Sequence, residues 1–125
     1  MNCKVLIVDD SPILRRAAKK AVLQAGIEED EIFEAGNGEE ALGVASSHPI
    51  DLVLLDLNMP IMSGVEFMEK VKESPQLNTK FSVIVVSTES NQQKFDTLKE
   101  LGVKGFLRKP FEPEELRNMV QQTVR

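Results

Sequence analysis

The chain has 125 residues, of which 42% are hydrophobic and 28% charged, and its formal net charge is -5. That length suits one domain, which buries roughly two-thirds of its unfolded surface and needs no staple. The acidic balance argues against a nucleic-acid groove or an anionic membrane surface as the main partner, and no apolar run approaches the ~20 residues of a membrane span. The lone cysteine, Cys3, has no internal disulfide partner. This fits a reducing compartment, and a cytoplasmic location is the simplest reading.

Strand-like and helix-like segments alternate from end to end. Val5-Leu6-Ile7-Val8, in a strand predicted over 4–8, is an unbroken apolar run that ends in Asp9-Asp10. Such Val- and Ile-rich runs read as strands covered on both faces, as in a parallel sheet. Ser11 can cap the first helix, with Pro12 at the first helical position, where a missing N–H costs nothing. Leu14, Ala17, Ala18, Ala21, Val22 and Ala25 form its apolar stripe, and Gly26 is a plausible stop. A second strand is predicted over 31–35, followed by Asn37 as a cap with Glu40 three residues on. The run Leu52-Val53-Leu54-Leu55 ends in Asp56, and Ser63 with Glu66 makes a capping box for the third helix. Val83-Ile84-Val85-Val86, in a strand over 82–86, leads into Ser87-Thr88. Ser90 with Gln93 repeats the capping pattern for a fourth helix ending near Gly102. Gly105-Phe106-Leu107 leads into Arg108-Lys109-Pro110. The fifth helix starts at Pro113, has Glu114 and Glu115 in its dipole-favoured first turn, and buries Leu116, Met119, Val120 and Val124.

Five βα units imply an α/β fold: a doubly wound, five-stranded parallel sheet with right-handed crossovers and helices on both faces. An interior first strand gives the order 2-1-3-4-5, with its switch point between strands one and three. Ligands of such sheets bind outside the carboxyl ends of the strands. Asp9, Asp10, Asp56, Ser87 and Lys109 are therefore expected at one edge. The chain is expected to be a single domain over residues 1–125.

Three converging carboxylates repel. At ~4 Å and an effective dielectric near 20, each like-charge pair costs about 4 kcal/mol. Either one is protonated or a cation sits among them. Hard oxygen donors with open positions suit Mg²⁺, which takes few carboxylates and keeps several waters. Asp10 and Asp56 are the expected direct ligands, Asp9 the holder of a metal-bound water, and the backbone carbonyl of Asn58 a further donor. A metal alone would not need Lys109 and Ser87. An ammonium and a hydroxyl at neighbouring strand ends suit a tetrahedral anion, and phosphoryl transfer is mostly positioning plus charge neutralisation. Asp56, ending the central strand, is the expected nucleophile, forming an aspartyl phosphate. Any one of these residues alone is more often a turn, cap or surface residue. Their conjunction at matching strand ends carries the reading.

Val-Asp-Asp-Ser at 8–11, Leu-Leu-Asp-Leu-Asn-Met-Pro at 54–60, Ser-Gly at 63–64 and Lys-Pro-Phe at 109–111 together resemble the receiver domain of bacterial two-component response regulators. The chain is most similar to the single-domain, CheY-like members. The resemblance covers essentially the whole length and implies a flavodoxin/CheY-like fold with no attached output domain. It implies that Asp9 and Asp10 are the acidic metal pair, Asp56 the phosphoacceptor and Lys109 the lysine that pairs with the phosphoryl group. Ser87 takes the place of the switch hydroxyl, with Thr88 as the alternative, and Phe106 that of the switch aromatic, without a phenolic hydroxyl. Asn58 and Glu89 stand where family members tune hydrolysis. The implied partners are a histidine kinase, or small donors such as acetyl phosphate, and a downstream protein. That protein is a flagellar motor component, another kinase, a relay protein, or a pilus or adhesion machine. It would read the surface of the fourth helix, fifth strand and fifth helix. A monomer is the default.

Three alternatives stand beside this. A haloacid dehalogenase-type phosphatase also uses an aspartate after an apolar strand, but wants a second aspartate where this chain has Asn58. A flavodoxin-like electron carrier needs a hydroxyl-rich phosphate loop where this chain has Asp9-Asp10. A pseudo-receiver scaffold would fold alike without being phosphorylated.

Overall fold

The structure, a computed structural model, describes residues 3–124. Its five strands are β1 (Val5–Val8), β2 (Ile32–Ala35), β3 (Leu52–Leu55), β4 (Ser82–Ser87) and β5 (Gly105–Arg108). They form one parallel sheet in the order β2-β1-β3-β4-β5. The helices are α1 (Pro12–Gln24), α2 (Gly38–Ser47), α3 (Gly64–Glu73), α4 (Gln92–Glu100) and α5 (Pro113–Thr123). A 3₁₀ turn at Glu29–Glu31 precedes β2. The α/β architecture and strand order read from the sequence are those observed.

Side chains alternate across each strand, so the sheet has two apolar faces. Val5, Ile7, Leu52, Leu54, Ile84 and Val86 pack against Ala18, Ala21 and Val22 of α1 and Leu116 and Val120 of α5. Leu6, Val8, Val53, Leu55, Val83 and Val85 pack against Ala41 and Ala45 of α2, Phe67, Met68 and Val71 of α3, and Leu98 of α4. Every residue of β1 and β3 is buried, whereas the edge strands β2 and β5 are mixed. This is why the central strands read as unbroken apolar runs.

Register brings the polar strand ends together. Val8 pairs Leu55, so Asp9 and Asp56 follow side by side. Ser87 pairs Arg108, so Lys109 emerges beside Ser87. The ladder hydrogen bonds continue into these residues. Asp56 N–H donates to the Val8 carbonyl at 2.9 Å, Asp9 N–H to that of Ala35 at 3.1 Å and Lys109 N–H to that of Ser87 at 3.0 Å. The functional backbone is thus an extension of the sheet.

Local expectations hold at several helix starts. Ser11 caps α1, Asn37 caps α2, and Ser63 with Glu66 forms a capping box on α3. Gly26 and Gly102 stop α1 and α4 at φ of 98° and 102°, the left-handed region that glycine enters without strain. Several details differ. Met119 of α5 and Val124 at its C-cap are half-buried against the core, since they flank the buried line of Leu116 and Val120. β1 starts at Val5, and β4 and β5 run on to Ser87 and Arg108. The cap of α4 is Asn91, whose Oδ1 accepts the Lys94 N–H at 3.2 Å, and not Ser90. The Glu89 carboxylate takes the N–H groups of Ser90 and Asn91, which holds the loop open one residue longer. Ala17 is exposed, because it stands one turn after the exposed Ile13 on the outer side of α1. Glu31 belongs to the 3₁₀ turn, so β2 starts one residue later than predicted.

Losing a side-chain cap typically costs about 1 kcal/mol. Asn91→Ala is therefore expected to lower unfolding stability by about that amount in urea titrations, while Ser90→Ala stays within about 0.5 kcal/mol of the parent.

Candidate functional site

Asp9 and Asp56 sit one residue beyond adjacent central strands, and both are buried. Asp10, the next residue on the β1–α1 loop, is exposed. Carboxylate oxygens of Asp9, Asp10 and Asp56 lie within 4.8 Å of one another. Lys109 reaches this cluster from the end of β5. Its Nζ is 2.6 Å from Asp9 Oδ2 and 3.5 Å from Asp56 Oδ1, and its side chain is 10% exposed. Asp9 Oδ1 accepts the Ser11 N–H at 2.9 Å, and Asp56 Oδ1 accepts the Leu57 N–H at 2.9 Å. One ammonium among three carboxylates leaves the cluster net negative. Burial pushes the Asp56 carboxyl above its usual range; Lys109 and the Leu57 N–H pull it back, and Asp9 adds to the rise.

The donor set fits a divalent ion. It consists of hard carboxylate oxygens at close spacing, with Asp10 on the solvent side, as Mg²⁺ requires when it keeps waters. Ser87, ending β4, is buried, and its Oγ accepts the Glu89 N–H at 3.1 Å. Thr88 is exposed. Asn58, two residues past Asp56, is exposed on the β3–α3 loop. Glu89 turns toward α4. Its carboxylate pairs with Lys94 at 3.0 Å, and that contact together with the Asn91 N–H holds it below the usual carboxylate range.

Phe106 on β5 is half-buried and packs against Phe95 of α4, with ring centroids 4.9 Å apart at 58°. A cleft of about 130 Å³ lies between them and Ser87, lined also by Val85, Glu89 and Arg108. The Phe95 contact was not legible in the sequence, since a lone phenylalanine on a polar helix shows no partner.

Two backbone approaches hold the loop after Asp56. A Cβ on Gly64 would collide with the Asp56 carbonyl and lie 2.9 Å from Leu57 Cα. A Cβ on Gly38 would lie 2.9 Å from the Met62 carbonyl, which accepts the Gly38 N–H. A second basic residue, which sequence reasoning missed, supports the loop after β1. Arg15 Nη1 donates to the Asp9 carbonyl at 2.6 Å, and Arg15 Nε to Glu34 Oε1 on β2 at 3.0 Å. No sequence spacing announces that a helix-borne guanidinium will turn back onto the preceding loop.

Residues 5–121 match the family described as the response regulator receiver domain. The nitrate/nitrite response regulator protein NarL of Escherichia coli strain K12 is 35% identical over 120 residues, covering 96% of this chain. The chain spans about half of that relative's length, 54%. The chemotaxis protein CheY homolog of Campylobacter jejuni is 30% identical over 122 residues, 97% of this chain and 92% of that protein. The solved structure of chemotaxis protein CheY4 of Vibrio cholerae superposes with a TM-score of 0.85 at 35% identity, covering 97% of this chain and 98% of that one. None of these supports the phosphatase reading. A match to the family over nearly the whole sequence, with the acidic cluster and lysine at the expected sheet edge, shows that this chain belongs to the response regulator receiver domain family.

Proposed function

We propose that the chain is a phosphoacceptor switch of a two-component system, in which Asp56 takes a phosphoryl group from the phosphohistidine of a histidine kinase. The observation that carries this reading is the Lys109 ammonium held between Asp9 and Asp56 at the carboxyl edge of the sheet. An Asp56 oxygen forms a bond to phosphorus while the bond from phosphorus to the histidine nitrogen breaks, and that nitrogen keeps the electron pair. The product is an acyl phosphate. Acetyl phosphate can serve in place of the kinase, with acetate leaving.

Lys109 is already aimed at the reacting carboxylate and neutralises charge on the phosphoryl oxygens as they arrive. Mg²⁺, bound by Asp10, Asp56 and the Asn58 carbonyl, would supply the remaining positive charge. Both Asp9 oxygens are already engaged by Lys109 and Ser11, which supports giving Asp9 a metal-bound water rather than direct contact. Ser87 is preferred over Thr88 as the switch hydroxyl, because it is the buried one of the two and ends β4 beside Lys109.

Phosphorylation adds about -1.5 to -2 charges and several strong acceptors at this edge. Ser87 Oγ turns toward them and releases the Glu89 N–H. The β4–α4 loop follows, and the Phe106 ring moves into the cleft beside Ser87. The surface of α4, β5 and α5 changes, and a downstream protein binds one state better. The output is a protein contact with a motor, kinase or relay component, and the site is a cytoplasmic one. Among the described residues no helix is long and apolar enough to cross a membrane. Asn58 and Glu89 tune self-catalysed hydrolysis by admitting or excluding water near the acyl phosphate.

Intact mass after treatment with Mg²⁺ and acetyl phosphate is expected to rise by one phosphoryl group in the parent and not at all in Asp56→Ala. Ser87→Ala should still gain the phosphoryl group but leave the α4 amide resonances near their unphosphorylated positions. A full set of α4 shifts in that variant would reject the coupling. The raised carboxyl of Asp56 sets a pH dependence. Its proton is held more tightly in the folded than in the unfolded chain, so folding is favoured by protonation at low pH and penalised once the carboxylate is charged. In EDTA, Asp56→Asn is therefore expected to unfold at higher urea than the parent at pH 7. The gap should close as the pH falls toward the ordinary carboxylate range, and narrow when Mg²⁺ stabilises the parent.

A further inference from the structure

The three carboxylates of the cluster are not oriented in the same way. Asp9 and Asp56 are each aimed by Lys109 and by a backbone N–H. Among the described residues, no side chain or N–H meets the Asp10 carboxylate, which stands exposed at the mouth. Its direction depends on the backbone that carries it. The Asp9 carbonyl and the Asp10 N–H belong to one planar peptide, so whatever fixes that carbonyl fixes the plane from which Asp10 departs. Arg15 Nη1 donates to this carbonyl at 2.6 Å. Its Nε is braced by Glu34 Oε1 at 3.0 Å, which ties the loop to the neighbouring strand β2. The Arg15 backbone N–H makes only the ordinary helical bond to the Ser11 carbonyl at 2.9 Å, so the hold on the loop is the guanidinium's alone. A planar guanidinium can make both side-chain bonds at once, and an ammonium at that position cannot hold the same fork.

We infer that Arg15 is a positioning residue for divalent-ion binding: its guanidinium, braced by Glu34, locks the Asp9–Asp10 peptide so that the Asp10 carboxylate stays within reach of those of Asp9 and Asp56. The inference rests on the metal-binding reading of the acidic cluster. Arg15 does not touch the reacting atoms. Groups that orient metal ligands typically change affinity by about 10- to 100-fold when removed.

The sign of the effect separates positioning from plain electrostatics. Arg15 is a cation close to a cation site, so through space its removal tightens Mg²⁺ binding. If it acts by orienting Asp10, its removal weakens binding. Isothermal titration of MgCl₂ at constant ionic strength should give Arg15→Ala a dissociation constant about 10-fold above the parent. Arg15→Lys should keep the charge but recover only part of the affinity. Glu34→Ala should weaken binding, whereas Glu34→Gln, whose amide oxygen still accepts the Nε–H, should stay close to the parent. Phosphorylation of Arg15→Ala by acetyl phosphate should return to the parent rate at saturating Mg²⁺. Val120→Ala, a core variant on α5, controls for lost stability and should bind Mg²⁺ as the parent does. Parent-like or tighter binding by Arg15→Ala, or equal weakening in Val120→Ala, would overturn the inference while leaving the metal site standing. A parent protein that does not bind Mg²⁺ would remove the metal reading and the inference with it.

Discussion

The arrangement depends on one ammonium among three carboxylates. Lys109 lies 2.6 Å from Asp9 and 3.5 Å from Asp56, almost out of contact with water. Two buried carboxylates on neighbouring strands would otherwise repel with nothing to screen them. The ammonium outweighs that repulsion at Asp56, whose carboxyl stays above its usual range chiefly because it is buried. The resting site is therefore stable enough to fold and still short of positive charge. A divalent ion would fill that shortfall and, with Lys109, would offset the charge of an incoming phosphoryl group in the function proposed above. In the proposed function Lys109 changes from a counter-ion for Asp9 into a ligand for the incoming anion.

Everything that places this ammonium is a property of the sheet. Parallel pairing sets Asp9 beside Asp56 and Ser87 beside the residue before Lys109. Ladder hydrogen bonds continue one residue past the strands, so the acidic and basic groups stand on rigid backbone. The loops carry the adjustable parts. Gly64 and Gly38 permit close approach behind Asp56, and the Arg15 guanidinium braces the loop of Asp10. On the far side, Glu89 ties its own loop to α4 through Lys94, and Phe106 rests on Phe95. A change at Ser87 therefore meets two contacts with α4, a helix whose only fully buried side chain is Leu98.

Much of this is legible in the sequence. Unbroken runs such as Leu52–Leu55 announce doubly covered strands, and the polar residue ending each run is the one that reaches the sheet edge. Strand order followed from five alternating units, and with it the meeting of Asp9, Asp10, Asp56, Ser87 and Lys109. The misses share a cause. Ser90 and Asn91 are both good caps, and the choice fell to Asn91 because Glu89 captures the intervening N–H groups. Ala17 has the hydropathy of its neighbours and none of their burial, because one step along a helix turns it by about 100°. Arg15 and Phe95 act through long or flat side chains whose targets exist only after the chain has folded. Pattern reports where a residue's backbone goes. It does not report where a flexible side chain ends.

In the proposed switch, Lys109 exchanges Asp9 for the phosphoryl group. A crystal structure of the protein with Mg²⁺ and beryllofluoride, which mimics the acyl phosphate on a carboxylate, tests it most directly. Beryllofluoride is expected on Asp56, with Lys109 Nζ in contact with a fluorine and withdrawn from Asp9, and Ser87 Oγ turned to a second fluorine. An empty site at saturating beryllofluoride, or bound beryllofluoride with Lys109 still closed on Asp9, would contradict it.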